Sequence, residues 1–492
     1  MQALPFDNTY VRLPEKFYSR LNPVAVDKPG HIRVNRGLAV ELGLDPNWLD
    51  SAEGTQVLAG NQVPAGADPI ATVYAGHQFG SYNPQLGDGR AVLLGEIIAP
   101  DGERYDVQLK GSGPTPYSRG GDGRSPVGPV LREYIVSEAM HNLGVPTTRA
   151  LAAVSSGELV AREQFEPGAV LTRIASSHIR IGTVEFFAAR GDKEALAALC
   201  DYVIRRHYPE AAQSENPTLA MLKAVIHKQA ELIARWQVLG FIHGVMNTDN
   251  MLLSGETIDY GPCAFMDQFN PDQVYSSIDQ RGRYAYRNQP GIAHWNLSRL
   301  AQALLPVLDT DEDAAVASAQ AAIDQFPVLF LDAHTGGLAN KLGIQTLHEN
   351  DTELIEGLFQ AMANHGLDFT LTFRQLADLA DPQHGGGQRV SALFPAPQGL
   401  LDWAEEWQQR IASEPTSGEQ RQQHMYRANP IFIPRNHLVQ SAIDTATERG
   451  DFRAFHKLVD ALAHPYEFQA ELARYATPPK PEEVVRQTFC GT

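Results

Sequence analysis

The order of the predicted elements constrains the fold of this chain more than any other feature of its sequence. Strand-like patterns fall in the first third, where Ala91–Ile98 and Tyr105–Lys110 flank the turn Asp101-Gly102. Helical patterns fill most of the remainder. Strands followed by helices predict an α+β fold rather than an alternating βαβ array.

Helices are predicted from apolar periodicity and from capping residues. A first helix over Val130–Leu143 is stopped by Gly144, and a long helix begins near Asn216-Pro217 and ends at Gly240. Further helices are predicted over Trp295–Leu305, Asp351–His365 and His437–Ala463.

Length and charge exclude several classes of protein. A chain of 492 residues, 43% of them hydrophobic, can bury a large core. Its formal net charge of −18 argues against nucleic-acid partners, which select basic surfaces. No uncharged apolar run approaches the ~18–20 residues of a membrane span, and Asp7 and Arg12 interrupt any signal-like N-terminal segment. The sequence therefore predicts a cytoplasmic protein with no membrane partner.

The segment His243–Asn250, followed by Asp259-Tyr-Gly261, carries the clearest chemical pattern. In protein kinases H-R-D-x-x-x-x-N precedes D-F-G, and the Asn and the second Asp hold the metal ions. His243 and Asn250 keep that spacing, and Leu252-Leu253 is predicted to form a strand behind them. An amide oxygen and a carboxylate suit Mg²⁺ or Mn²⁺, so Asn250 and Asp259 are predicted metal ligands. The alternative is a turn that these polar residues only cap and bend.

One position departs from the kinase pattern. Val245 stands two residues after His243, where a kinase has its base, and cannot accept a proton. Asp249 is the only carboxylate inside the loop, which makes it the best candidate for the proton acceptor. A base displaced by four positions indicates a geometry of substrate and phosphate that differs from that of a kinase.

Upstream, Lys110 and Glu133 occur in the order of the kinase β3 lysine and its αC glutamate. The lysine would bind phosphate oxygens and the glutamate would orient it. Glu138 competes with Glu133 on the same helix, and a lysine at a strand end is by itself usually a solvated charge. The shared order of Lys110, Glu133, His243, Asn250 and Asp259 favours the functional interpretation.

Two Gly-Asp-Gly-Arg sequences, at Gly87–Arg90 and Gly121–Arg124, precede further arginines at Arg173 and Arg180. One guanidinium group can bind two oxygens of a phosphate. These arginines together therefore indicate a phosphate pocket with more cations than a kinase needs. The alternative is a pair of ordinary tight turns and surface ion pairs.

Five stretches together resemble the selenoprotein O family of protein adenylyltransferases, and they extend over nearly the whole chain. These stretches are Tyr74–Arg90, Leu109–Arg124, His243–Asp259, Tyr284–Pro290 with Trp295-Asn-Leu297, and Asn429–His437.

The resemblance implies a protein-kinase-like fold with a β-rich N-lobe and a mainly helical C-lobe, which binds ATP in a flipped orientation. It implies transfer of AMP to Ser, Thr or Tyr hydroxyls of proteins, with release of pyrophosphate. We expect an N-terminal extension over 1–70 that wraps the N-lobe, the N-lobe over 71–180, the C-lobe over 181–380, and a C-terminal helical extension with a Cys-bearing tail over 381–492.

The resemblance also implies roles for single residues. Lys110 would bind phosphate, Glu133 would pair with it, and Asp249 would accept the proton. Asn250 and Asp259 would hold Mg²⁺ or Mn²⁺. The positions that match the family's nucleotide-binding residues are Gly87, Gly89, Arg90, Asp122, Gly123, Arg173 and Arg180, beside Lys110 and Asp259.

The three cysteines, Cys200, Cys263 and Cys490, lack the spacing of a zinc site. Animal members of the family carry selenocysteine near the C-terminus, where this chain has Cys490. Bacterial relatives can link that position to a cysteine just after the D-F-G-like motif, so the resemblance implies a Cys263–Cys490 disulfide as a redox switch. Two reduced thiols in a reducing cytosol are the alternative.

Three other activities stay open from the sequence. Transfer of UMP from UTP with Mn²⁺ would use the same residues. A catalytically inactive nucleotide-binding scaffold would explain Val245, although the retained Lys110, Glu133, Asn250 and Asp259 argue against it. A small-molecule kinase generally keeps an Asp two residues after the His, and Val245 counts against that interpretation as well.

Overall fold

The computed structural model describes residues 4–489 of the chain. The main sheet is built from residues before position 176, and helices predominate afterwards. The predicted combination of a β-rich first third and a mainly helical remainder is therefore confirmed as a mixed α/β architecture.

The strands are, in chain order, β1 Tyr18–Arg20, β2 Gly30–Val34, β3 Ile70–Thr72, β4 Gly76–Gln78, β5 Ser81–Asn83, β6 Ala91–Ile98, β7 Arg104–Lys110, β8 Ser125–Pro126, β9 Arg149–Ala161, β10 Phe165–Ala175, β11 Phe241–Ile242 and β12 Ala264–Phe265.

The α-helices are α1 Arg36–Glu41, α2 Pro46–Leu49, α3 Ala52–Leu58, α4 Val127–Asn142, α5 Ile181–Ala188, α6 Lys193–His207, α7 Pro217–Leu239, α8 Gln289–Leu308, α9 Glu312–Ile323, α10 Phe326–Leu342, α11 Asp351–His365, α12 Phe369–Ala380, α13 Gln398–Ala412, α14 Gly418–Ala428, α15 Asn436–Arg449, α16 Arg453–Ala461 and α17 Ala473–Ala476.

The main sheet is antiparallel and runs in the order β1-β3-β6-β7-β10-β9-β2, with β8 also paired to β10. The predicted hairpin of β6 and β7 is confirmed, and Ala91 lies opposite Lys110. Leu171 of β10 lies opposite Lys110 on the other side. Because side chains alternate along a strand, Arg173 projects from the same face of the sheet as Lys110.

The first 70 residues supply both edge strands of this sheet. β1 pairs with β3, and β2 pairs with β9. After β2, helices α1 to α3 pack their apolar residues, among them Leu38 and Leu58, against the face that carries Val107 and Leu151.

Helix α4 crosses the opposite face of the sheet and is itself covered by C-terminal helices. Tyr134 of α4 packs edge to face on Phe455 of α16, with ring centroids 5.3 Å apart. Burial on several sides makes most of α4 inaccessible to water, Glu133 included. A charged group in such a position requires partners of opposite charge.

Helix α7 begins and ends where its capping residues predict. Asn216 accepts a hydrogen bond from the Leu219 amide, and Gly240 ends the helix in the left-handed region at φ +70°. Its apolar stripe, which includes Trp236, packs into the largest core of the protein. The chain then passes directly from Gly240 into β11 and the loop that follows it.

Two predictions about local structure are wrong. The helix predicted over His437–Ala463 is two helices, because the chain adopts φ +63° at Gly450 after α15 and restarts as α16. Leu252-Leu253 is not a strand: Leu252 forms an isolated bridge with Arg180, and Leu253 enters a turn.

One helical stretch in residues 4–489, Glu312–Leu342, has the length and the mean hydropathy of 1.3 that would allow a membrane span. It consists of α9 and α10, which are separated by a turn at residues 324–325. Its apolar window is 28% buried, and Val328 and Leu331 are exposed.

Candidate active site

His243 joins the two loops of the candidate site. It follows β11, and its buried ring stacks on Trp236 with centroids 5.3 Å apart. Nε2 of His243 donates to the carbonyl oxygen of Ile258 at 2.8 Å. This bond fixes the residue before Asp259 relative to the loop that begins at His243, so the two motifs recognised in the sequence are held together.

Asp259 is the point on which three cations converge. Its Oδ1 accepts hydrogen bonds from Nζ of Lys110 and from the Arg173 guanidinium, both at 2.7 Å, and its Oδ2 accepts one from Arg180 at 2.7 Å. Burial alone would raise the pKa of Asp259, but these charges hold that pKa well below its usual range. The backbone of Asp259 is left-handed, at φ +63°, which marks a strained position.

Glu133 is the second acid of this group. Its Oε2 accepts from Nζ of Lys110 at 2.5 Å and its Oε1 from Arg173 at 3.0 Å. Glu138, the competing candidate, pairs instead with Arg149 at 2.9 Å. Three cations and two carboxylates therefore form one largely buried set, called here the Asp259 cluster, consisting of Lys110, Glu133, Arg173, Arg180 and Asp259.

Asp249 lies in the short helical turn Thr248–Asn250, and the backbone oxygen of this residue accepts a hydrogen bond from Arg180. Arg180 thus contacts both Asp249 and Asp259. Burial raises the pKa of the Asp249 carboxyl to about 6. Its Oδ1 is buried and has no hydrogen-bond partner in the described part of the chain, whereas Oδ2 accepts from Gln78 at 3.2 Å. A buried acceptor oxygen without a donor is destabilising, and a substrate hydroxyl that reached Oδ1 would supply the donor.

The hairpin of β4 and β5 is a part of the site to which the sequence analysis assigned no role. His77 donates its amide to Thr248 at 2.7 Å, Gln78 bonds Asp249, and Phe79 donates its amide to Asn247 at 3.1 Å. Three successive residues of the hairpin therefore contact three successive residues of the loop. The motif His77-Gln-Phe-Gly80 contributed to the family resemblance, and this was the available signal.

The donor chemistry around Asn250 and Asp259 fits a hard divalent cation, but only in part. Nδ2 of Asn250 donates to the Val245 carbonyl at 2.9 Å, while Val245 itself is buried and apolar. Within residues 4–489 no group of three or more His, Cys, Asp or Glu side chains is placed to hold a metal. Two protein oxygens suit Mg²⁺ that retains water and phosphate ligands, rather than a cage made by protein alone.

The first glycine-rich loop approaches Tyr117 closely. Gly87 has φ +95°, and a Cβ there would lie 2.5 Å from the Tyr117 ring, so only glycine fits. At Gly89 a Cβ would lie 2.9 Å from the Tyr117 carbonyl oxygen. Arg90 follows and lines a small cavity together with Lys110 and Glu133. This loop therefore lies beside the Asp259 cluster.

The second glycine-rich loop makes its described contacts elsewhere. Asp122 is half exposed and accepts two hydrogen bonds from Arg162, at 2.9 and 3.2 Å. Gly123 has φ +65° and packs against the backbone of Gly113. Neither residue contacts the Asp259 cluster, so their predicted part in nucleotide binding stays a prediction.

Of the cysteines, Cys263 is buried, and its thiol donates to the Tyr260 carbonyl at 3.5 Å. Cys200 is buried in the apolar core, where it packs as a small hydrophobic residue. Cys490 lies outside the described residues.

Comparison with known proteins identifies the family. A sequence model described as Protein adenylyltransferase SelO matches residues 1–463. The chain is 58% identical over 489 residues to Protein nucleotidyltransferase YdiU of Rhodopseudomonas palustris (strain BisB5), with 99% of each chain covered. It is 56% identical over 498 residues to the protein of the same name from Methylorubrum populi (strain ATCC BAA-705 / NCIMB 13946 / BJ001), with 100% of each covered. This chain therefore belongs to the SelO family of protein adenylyltransferases, enzymes that transfer nucleotides to proteins.

Proposed function

We propose that this chain transfers AMP from ATP to hydroxyl groups of Ser, Thr or Tyr side chains on proteins and releases pyrophosphate. One observation carries the proposal: Arg180 joins the Asp259 cluster to Asp249, while an apolar residue, Val245, occupies the position of a kinase base. The description of the family supports the same reaction.

We further infer a protein-kinase-like arrangement of two lobes, with the nucleotide flipped so that its α-phosphate lies at the transfer position. The Lys110–Glu133 pair supports the kinase-like arrangement, because a kinase orients its phosphate-binding lysine in this way. The buried Arg173 and Arg180 support the flipped orientation. A reversed triphosphate would place its β- and γ-phosphates in the interior of the protein, where they require cations.

In the proposed transfer the substrate hydroxyl, Asp249 and the three cations of the Asp259 cluster each have one role. The acceptor hydroxyl oxygen forms a bond to the α-phosphorus, and the bond from that phosphorus to the oxygen bridging to the β-phosphate breaks. The electron pair leaves with pyrophosphate, and the hydroxyl proton passes to Oδ1 of Asp249, the buried oxygen to which nothing in residues 4–489 donates. Lys110, Arg173 and Arg180 stabilise the negative charge that develops on the leaving group.

Asn250 and Asp259 would hold Mg²⁺ or Mn²⁺, which neutralises phosphate charge when bound. Both oxygens of Asp259 accept hydrogen bonds from cations in this structure. Phosphate oxygens attract the same cations, so ATP binding would release the Asp259 carboxylate for metal coordination. We therefore expect metal and ATP to bind together.

The test is incubation of the purified protein with a protein substrate and ATP labelled at either the α- or the γ-phosphate. Label from the α-position alone, absent in Asp259→Ala, supports AMP transfer. Label from the γ-position would show a kinase, and ATP binding without any transfer would show a nucleotide-binding scaffold. A low-molecular-weight labelled product in place of protein would indicate a small-molecule kinase.

Transfer of UMP from UTP is a second candidate, because the relatives' name specifies nucleotide transfer without naming the nucleotide. The same residues would serve both reactions. Parallel assays with α-labelled UTP and ATP, each with Mg²⁺ or Mn²⁺, separate them by the ratio of their rates.

We also propose that Cys263 and Cys490 form a regulatory disulfide. The described tail supports this, since the Thr488 hydroxyl donates to the Pro262 carbonyl at 2.6 Å and the Thr488 amide donates to the Tyr275 carbonyl at 2.8 Å. The chain is therefore held beside Cys263 two residues before Cys490. A peptide mass map of oxidised protein without reductant should contain the linked pair, and its absence would contradict the proposal.

A further inference from the structure

Two arginines pack on one tryptophan next to the candidate active site. The guanidinium carbons of Arg283 and Arg299 lie 5.0 and 5.2 Å from the centre of the Trp295 ring. Trp295 and Arg299 are one helical turn apart on α8, and Arg283 comes from the loop before that helix. Aromatic rings hold guanidinium groups in this way, so Trp295 positions both side chains without an ion pair to any acid of residues 4–489.

The positive charge of this arginine pair is not neutralised by the described chain. Neither guanidinium forms an ion pair with an acid in residues 4–489, and Nε of both arginines is buried without a hydrogen-bond partner. This is unusual in a protein whose formal net charge is −18. Glu185, which contacts the neighbouring His77, uses its two oxygens for His77 and Thr248.

The arginine pair is connected to the loop that contains Asp249 through the β4–β5 hairpin. The His77 ring packs edge to face on Trp295 at 5.3 Å, and the Arg283 guanidinium lies 3.5 Å from the position of a Cβ on Gly80. Tyr284, next to Arg283, donates its hydroxyl to Asn247 at 2.6 Å, two residues before Asp249. A polypeptide whose hydroxyl approaches Asp249 would therefore pass close to the arginine pair.

We propose that Arg283 and Arg299 bind carboxylate side chains of the protein substrate, adjacent in sequence to the hydroxyl that receives AMP. The inference rests on the proposed function and narrows its substrates to acidic segments. Guanidinium groups that are held against aromatic rings and form no ion pair within residues 4–489 match carboxylates in charge and in hydrogen-bonding geometry. Trp295 is partly exposed and Tyr82 is 38% exposed, so both supply aromatic surface for the same segment.

The test compares two synthetic peptides of equal length, each with one tyrosine, flanked by Glu in one and by Gln in the other. Titration calorimetry measures their binding to the full-length protein, and α-labelled ATP measures transfer to them. We expect the Glu peptide to bind about tenfold more tightly than the Gln peptide at low salt, with the difference reduced at high salt.

Arg283→Gln and Arg299→Gln should each remove most of this preference by raising the KM for the Glu peptide, while the KM for ATP stays unchanged. Arg281→Gln is the matched control, because Arg281 is exposed in the same loop and makes no described contact with Trp295. Arg299→Glu should reverse the preference toward a peptide flanked by Lys. Unchanged melting temperatures would show that the variants fold.

Equal binding of both peptides by the native protein would overturn the inference, and so would an undiminished preference in both Gln variants. A raised KM for ATP with peptide preference intact would instead assign the arginines to the nucleotide, and would also overturn it. A Glu preference in binding without any α-label transfer would contradict the proposed function and leave the acidic docking site supported.

Discussion

Replacement of Asp259 by asparagine should destabilise the protein as well as abolish transfer. The Asp259 cluster contains three cations and two carboxylates, and Asp259 contacts all three cations at 2.7 Å. The asparagine side chain would keep the shape of the native one but leave three cations with one acid. Asparagine is also among the residues that best tolerate the left-handed backbone found here, so the substitution isolates the effect of charge.

The magnitude follows from the geometry. At an effective dielectric constant of about 20, each contact contributes about 6 kcal/mol of attraction, most of which is offset by desolvation and by repulsion among the cations. Removal of one partner from a buried ion pair costs about 3–5 kcal/mol. Because the Asp259 side chain is 23% exposed, we expect a loss of about 3 kcal/mol in the free energy of unfolding.

Urea unfolding followed by circular dichroism measures this loss. An unchanged slope of the unfolding free energy against urea concentration would show that variant and native protein unfold by the same transition. Asp68→Asn is the matched control. Asp68 pairs with Arg20 at 3.1 Å on the surface, and its loss should cost less than about 1 kcal/mol. Asp259→Ala should cost about 1 kcal/mol more than Asp259→Asn, because alanine adds backbone strain.

An Asp259→Asn protein as stable as the native one, or more stable, would refute the reasoning. It would mean that repulsion and desolvation within the cluster outweigh the contacts that Asp259 makes. Loss of stability equal to that of Asp68→Asn would mean that water screens the cluster as it screens the surface pair.

Three further results are expected. Asp249→Asn should lower kcat about 10²- to 10⁴-fold with ATP affinity retained, and undiminished turnover would show that Asp249 is not the base. Gly76→Ala should lower kcat about 100-fold, because its Cβ would lie 2.5 Å from Oδ1 of Asp249, whereas Gly291→Ala meets nothing within 4 Å and should be neutral. Burial alone would raise the pKa of Asp106, but the Arg206 charge and the His178 hydrogen bond hold that pKa at about 2. A carboxyl whose pKa is depressed by folding stabilises the folded protein at pH values above its unfolded-state pKa of 3.8. Asp106 therefore contributes about 2 kcal/mol to the free energy of unfolding at neutral pH, and about half of that at pH 3. The stability difference between native protein and Asp106→Asn should shrink over that range, and a constant difference would contradict the assignment.

Local structure was predictable from the sequence where short-range signals were strong. Helix α7 begins at Pro217 and ends before Gly240 because capping by Asn216 and the left-handed glycine act within a few residues. The β6–β7 hairpin was predictable for the same reason, through its strand pattern and turn. The break at Gly450 was missed because an apolar stripe continues across it, although the left-handed glycine is a local stop signal of the same kind as Gly240.

The sequence by itself determined the chemistry available to this protein: the order of Lys110, Glu133, His243, Asn250 and Asp259, and the apolar residue at the kinase base position. These are properties of residue type and spacing, which the chain carries before it folds.

Only the tertiary structure decided which groups meet. Lys110 and Asp259 are separated by 149 positions, and their contact depends on the pairing of β7 with β10, on the burial of α4 and on the bond from His243 to Ile258. Glu138 was excluded as the partner of Lys110 in the same way, because it lies beside Arg149. The hairpin against Asp249 and the two arginines on Trp295 were likewise not visible in the sequence. The physical reason is that electrostatic and hydrogen-bond energies depend on distance in space and on burial, and folding sets both.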